Sequence, residues 1–419
     1  MNILLLIADQ LSALALAPYG NGFTRTPNMD RLLQRGTRIR NCYSPCPLCA
    51  PARAAFWTGL HPHETGLLSN GRAFPCPDVD PHLPTIGSIF LNADYKTVHF
   101  GKRHDNGALR GFDCAQVEEL PVDAECGAWP VDYDTRRDRY TVERACGFLT
   151  EPRDPENSPY LYAVDLNNPH NICNWIGHNR GEHEDRPVPG PLPDLPDNFD
   201  DRDLESRPPS VQYICCAHNR SAQTEGWTDT NFRHYLAAYH HYVERLDKEI
   251  GRLLDAVESR GDFADTLIIL TADHSDAMTA HRQVTKHTSF YEETTRVPFI
   301  ATGPGIETTG TLIDTPLASL LDLMPTLCEL TQLPIPDGLR GRSLAPWLTG
   351  REQTGTPKTT WLPSCIPNGV LPWSPDACSA PKTVNISTTS KAIVRNSTTF
   401  AEIREKPKTL SMMPAPPLN

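Results

Sequence analysis

In the stretch SPCPLCAPARAAFWTG, residues 44–59, Cys49 stands just ahead of Pro51 and Arg53 at the mouth of an expected helix that closes on Thr58-Gly59. A cysteine so placed is a nucleophile once ionised, and a helix N-terminus beside an arginine supplies the positive surroundings that ionisation needs. A histidine partner would complete such a centre. Cys46 and Cys49 also form a C-x-x-C pair, which suits redox chemistry or half of a zinc site. A structural zinc site needs a second pair at matching spacing, and none follows along the chain. Two other pairs could hold a ligand: Asp9-Gln10 ends the apolar run 2–8, and Asp273-His274 ends the run TLIILTA, Thr266–Ala272. Either aspartate alone reads as a helix cap. Together they stand at the carboxyl ends of two buried strands, where open α/β sheets bind ligands.

The elements that must position these residues follow an α/β grammar. The run 2–8 is continuously apolar, as in a parallel strand covered on both faces. From Asp229 to Ser259, Phe232, Leu236, Tyr239, Val243, Leu246, Ile250, Leu253 and Val257 recur at helical spacing, with Gly261 as the stop. That helix leads into the buried strand 266–272, and helix followed by buried strand predicts an α/β fold. A chain of 419 residues has room for one large domain and a smaller appendage. The net charge of -12, without clustered Lys and Arg, argues against a nucleic-acid partner. No window reaches the roughly 18–20 apolar residues of a membrane span. MNILLLIADQ lacks a basic n-region and a cleavage site, so it reads as a strand, and a cytoplasmic location is the expectation. The 13 cysteines are odd in number and lack the spacing of a disulfide framework, so most are expected as buried thiols. The Pro- and Asp-rich segment from Arg186 to Pro209 predicts a long surface excursion.

Cys49-Ala50-Pro51-Ala52-Arg53, with Thr58-Gly59 following, resembles the C-x-P-x-R signature of type I sulfatases, whose cysteine is oxidised after synthesis to formylglycine. The resemblance runs from residue 2 to about 348: NILLLIADQ, TPNMDRLLQRGTRIRNCY, GKRH, NNPH, TADHSDAM and KHTSFYEETTRVPFIATGPG fall in the family's order. It implies an alkaline phosphatase-like three-layer α/β sandwich on a large mixed, mostly parallel sheet. It implies a divalent metal held by Asp9, Gln10, Cys49, Asp273 and His274. Ca²⁺ is the first expectation, with Mg²⁺ or Mn²⁺ open because Gln10 and His274 replace the family's commoner Asp and Asn. Arg53 would orient the hydrated aldehyde, Lys102 would neutralise sulfate, and His104 would take the proton that triggers sulfate release. His170 and Lys286 would face the bridging oxygen, and Arg103 stands where the family usually has an aromatic residue. His281 and His287 read as solvated loop histidines.

The chemistry implied is hydrolysis of a sulfated carbohydrate or small sulfate ester. A hydrated aldehyde carries two hydroxyls, one to attack sulfur and one whose deprotonation expels sulfate; a serine or thiol lacks that second step. An enzyme that generates formylglycine is the implied partner. NNPHNICNWIGHNRG would form a rim that hydrogen-bonds and stacks on a sugar ring. A choline-sulfatase-like or phosphonate or phosphodiester hydrolase on the same scaffold, and an inactive anion-binding relative, are the alternatives. Residues 1–348 form the expected catalytic domain. After Leu348 the periodicity stops, and 349–419 are rich in Pro, Ser and Thr, as in a disordered tail. Read one base earlier with suitable codons, this tail can spell an ending that resembles the family's, with an SE segment and a TEDL close. A frameshift between about Thr349 and Thr360 is therefore expected, with the small C-terminal subdomain missing or altered; the gene sequence decides it.

Overall fold

In the computed structural model, the described residues are 1–70, 77–114, 131–151, 158–178, 190–200, 224–286 and 290–351, with side chains from 137 onward in the third segment. The tail from 352, most of the Pro-rich excursion and His287 lie outside them.

Eleven short strands are described: β1 Asn2–Asp9, β2 Gly36–Ile39, β3 Cys42–Tyr43, β4 Lys96–Gly101, β5 Asp113–Cys114, β6 Tyr160–Pro169, β7 Thr266–Ala272, β8 Arg296–Val297, β9 Phe299–Thr302, β10 Leu312–Ile313 and β11 Ala318–Ser319. Eight make one sheet in the order β10-β2-β9-β7-β1-β6-β4-β5, and β11-β3-β8 form a small second sheet. In the large sheet only β9 runs antiparallel, to β7 and β2; the other pairings are parallel. The expected large, mixed and mostly parallel sheet is present.

Both faces are covered. Successive strand residues point to opposite faces, and in β4 His99 meets Trp57 of the helix Cys49–Thr58, whereas Phe100 meets Phe148 of the helix Val131–Thr150. A strand between two helical layers must be apolar throughout, and Ile3 to Ala8 are each at most 1% exposed. Each such buried Leu or Ile contributes about 1.5–3 kcal/mol relative to exposure.

The long helix Asp229–Ser259 begins at Thr228, whose hydroxyl caps the Asn231 N–H, and Gly261 beyond its end takes the left-handed φ of +80°. All eight apolar positions expected on its inner face are buried. The same face carries polar groups inward. Tyr239 Oη donates to the Gln10 carbonyl at 2.7 Å, and Tyr235 Oη donates to Asp276 at 2.7 Å. His240 shares a 2.5 Å hydrogen bond with the Thr24 hydroxyl and is 4% exposed.

Burial drives the His240 imidazole down from 6.5 to about 4. An unfolded histidine binds a proton near 6.5 and this buried one only near 4, so its stabilising contribution is complete above that window and is lost as pH falls through it. In His240→Gln, the stability lost between pH 7 and pH 5 is expected to shrink by about 2 kcal/mol, read by urea unfolding. Equal pH dependence in the two proteins would contradict this.

Candidate active site

Four adjacent parallel strands, β7-β1-β6-β4, end at one edge of the sheet. Their carboxyl ends deliver Asp273, Asp9, the 167–170 turn and Lys102 to one place. The helix Cys49–Thr58 brings its N-terminus there. Cys49 is its first residue and Arg53 lies one turn on, so both side chains share the inward face. Thr58 bonds back to the Ala54 carbonyl, and Gly59 closes the helix with φ +71°. A Cβ at residue 59 would come within 2.9 Å of Leu339.

Cys49 is 2% exposed and its Sγ lies 3.2 Å from Lys286 Nζ, 3.2 Å from His274 Nε2 and 3.8 Å from Asp9 Oδ1. His104 and His170 also lie beside the thiol and act on it electrostatically. Burial opposes ionisation of this cysteine, yet Lys286, Lys102, His274 and His104 outweigh it and hold the thiol well below 9. Cys46, three residues earlier, has no such neighbours, and burial pushes it up to about 12. The seven described cysteines are free thiols. Cys49 joins a cluster with Asp9, Asp273 and His274, and Cys46 does not. The C-x-x-C pair is therefore neither a disulfide nor half of a zinc site here.

Arg53 is 1% exposed and surrounded by carboxylates. Its Nε donates to Asp273 Oδ2 at 3.0 Å, one terminal nitrogen donates to Asp165, and the other reaches Asp9 Oδ2 at 3.4 Å. The guanidinium is thus shared among three acids, two of which, Asp9 and Asp273, cluster with Cys49. Lys102 pairs with Asp9, and its backbone N–H donates to the Asp165 carbonyl. Burial and the Cys49 charge work against ionisation of Asp9, but Lys102, His170 and Lys286 hold its carboxyl below the usual range. Asp273 is pushed up, by burial first and then by Asp9. Burial acts against the charge on Lys286, and Cys49 and Asp9 overcome it and raise its pKa. His170 falls to about 4 through burial and the nearby Lys286.

Neither aspartate caps a helix. Asp273 Oδ1 instead accepts the backbone N–H groups of Gln10 and His274. Gln10 sits at φ +69°, a strained conformation for a non-glycine residue, fixed by that bond and by the Tyr239 hydroxyl on its carbonyl. Its Nε2 donates to Asp276 at 2.7 Å, which makes Oε1 the acceptor end, and Cys173 donates weakly to Oε1 at 3.5 Å.

Sequence patterning does not single out Asp165, Asp276, Asp138 or Asn70. Asp165 had a signal, as the one charge within the buried run 160–166. Asp138 accepts the N–H groups of Asn167 at 2.6 Å and Asn168 at 2.8 Å, which fixes the turn whose Asn167 carbonyl receives the His170 N–H. The Asn70 side-chain oxygen accepts the Ala50 N–H in the first turn of the Cys49 helix. Two expectations are corrected, the stacking role of Trp175 in the rim and the solvated His281. Trp175 is 6% exposed and packs edge-on against Trp227 and Tyr235, so it serves the core rather than a sugar ring. His281 is half-buried and stacked 4.2 Å from Tyr291.

The sulfatase family profile matches residues 1–333. The chain belongs to the sulfatase family. It is 42% identical over 354 residues to a delta 4,5-hexuronate-2-O-sulfatase of Bacteroides thetaiotaomicron, covering 84% of this chain and 72% of that protein. It is 28% identical to a choline-sulfatase of Rhizobium meliloti, covering 84% and 72%. A solved 2-O GAG sulfatase, also 42% identical, superposes with a TM-score of 0.78 over 84% of this chain and 75% of that one. A phosphonate monoester hydrolase of Agrobacterium radiobacter, at 23% identity and a TM-score of 0.67 over 84% and 78%, shares the fold. The sulfatase thus has the alkaline phosphatase-like architecture.

Sulfatases typically use a divalent metal, and the donors here fit one. Asp9, Cys49, Asp273 and His274 each offer a ligand atom, all within 4.8 Å of one another. Asp9 opposes the ionisation of its buried neighbour Asp273, and a shared cation relieves that.

Removing the guanidinium would leave three buried acids without their common partner. Arg53→Met is expected to lose about 3–5 kcal/mol of stability, measured by denaturant unfolding of the metal-free protein. A loss below about 1 kcal/mol would show that the carboxylates do not depend on Arg53.

Proposed function

We propose that this sulfatase hydrolyses a 2-O-sulfate ester of a hexuronic acid, with formylglycine made from Cys49 and a divalent metal held by Asp9, Gln10, Asp273 and His274. The observation that carries the reading is the convergence of Lys102, Lys286, His104, His170 and His274 on the side chain of residue 49 at a helix N-terminus. An anionic ester approaches an anionic nucleophile only where fixed cations offset both charges. The substrate class is supported by the 42% identical hexuronate sulfatase.

The bound metal would polarise the attacking oxygen and a sulfate oxygen. The hydrated aldehyde would supply a second hydroxyl, which a plain cysteine lacks. The protein's own residues do the rest. Arg53 braces Asp9 and Asp273, so the donor atoms stay in place as substrate enters. Lys102 and Lys286 neutralise sulfate oxygens. His104, beside residue 49, takes the proton whose removal releases sulfate. His170, driven down to about 4, is neutral at ordinary pH and positions the bridging oxygen through a hydrogen bond. Lys286 stays protonated and is the group able to give the leaving alcohol its proton. A separate enzyme would install the formylglycine.

The test is sulfate release from a 2-sulfated uronate, from an aryl sulfate and from an aryl phosphodiester, with and without chelator. Preferential, chelator-sensitive cleavage of the uronate sulfate is expected; a faster phosphodiester reaction would favour the phosphonate-hydrolase alternative. Lys286→Met is expected to lower kcat on the uronate sulfate by about 10²–10⁴-fold and on 4-nitrophenyl sulfate much less, because its phenolate leaves without a proton. Parallel losses on both would remove Lys286 from the leaving-group step.

A further inference from the structure

Resting on the uronate reading, we propose that Arg103 is the specificity-determining residue that grips the ring carboxylate of the sugar whose sulfate sits at residue 49. A cavity of about 630 Å³ is lined by Arg103, His104, Asp105, Arg110 and Phe112, among others. His104 lines that cavity and lies beside the Cys49 thiol, so the cavity adjoins the reacting centre. Lys102 turns inward to Asp9, while its neighbour Arg103 is exposed at the cavity wall.

Among the described residues of the wall, the other two charged side chains beside Arg103 are committed elsewhere. Arg110 is committed to backbone: NH1 donates to the Val79 and Gly107 carbonyls and NH2 to those of Asp80 and Leu83. The Asp105 carboxylate accepts the Gly107 and Leu109 N–H groups at 3.1 and 3.0 Å and is 7% exposed. It is turned to its own loop rather than to Arg103. Arg103 has no carboxylate partner among the described residues. Phe112, half-buried and fixed edge-on against Trp57 at 5.3 Å, gives the cavity a rigid apolar wall for a sugar face.

A sulfated uronate carries two anions on one ring, and they ask for different partners. Sulfate is tetrahedral and suits the inner lysines. Carboxylate is planar and matches the two-pronged guanidinium, which an ammonium does not reproduce. The outer position of Arg103 beside the inner Lys102 provides that pairing across one sugar ring.

The experiment uses the full chain as wild type, Arg103→Ala and Arg103→Lys, with a 2-sulfated uronate and its uncharged methyl ester. Calorimetry adds the binding of the desulfated uronate, which needs no turnover. Wild type is expected to favour the acid over the ester at least tenfold in kcat/KM. Arg103→Ala should lose at least tenfold on the acid and stay within twofold on the ester, with an unchanged Tm. Arg103→Lys should fall between, and product affinity should drop at least tenfold in Arg103→Ala. Parallel losses on acid and ester, or an unchanged product affinity, would overturn the assignment. Binding that depends on Arg103 without sulfate release would instead contradict the sulfatase reading and leave the carboxylate site standing.

Discussion

One buried guanidinium and three buried carboxylates set the terms for this site. Asp9, Asp165 and Asp273 end or interrupt three neighbouring strands, and each is at most 1% exposed. Arg53 reaches all three, which pins the ends of β1 and β7 and the interior of β6 to the first turns of one helix. Placing like charges this close, in low dielectric, costs far more than an isolated surface pair gains. The arrangement persists because strand pairing and apolar burial on both faces fix the backbone that carries it.

Reactivity follows from the same charges. Cys46 and Cys49 are both buried and three residues apart, yet burial dominates the first, while the second faces Lys286, Lys102 and His274. Whatever group stands at residue 49 is stabilised as an anion. The supports behind the contact residues decide how firmly this holds: Asp276 and Tyr235 orient Gln10, Tyr239 fixes its strained backbone, and Asp138 sets the turn before His170. A site with such backing keeps its geometry while substrate charge enters.

Much of this was legible in the sequence where the signal was local. A continuous apolar run revealed β1 and β7, and the 3.6-residue rhythm gave the helix Asp229–Ser259 with its Gly261 stop. The motif at Cys49 drew attention to residues that the fold does bring together. What stayed hidden depended on long-range contacts. Nothing near Arg53 announces that its partners lie 44, 112 and 220 residues away. Trp175 reads as a stacking residue until Trp227 and Tyr235 arrive from a distant segment to bury it. A polar loop and a packed one share the same letters, and only the neighbours tell them apart.

The central claim is that residue 49 works as an oxidised, aldehyde-bearing side chain among these cations. The direct measurement is the mass of the tryptic peptide 41–53, NCYSPCPLCAPAR, from protein of known turnover, after thiol alkylation. Active protein should yield a peptide with two alkylated cysteines and a third position lighter by one sulfur and two hydrogens, heavier by one oxygen. Full sulfate-ester turnover by protein whose peptide carries three alkylated cysteines would contradict the account.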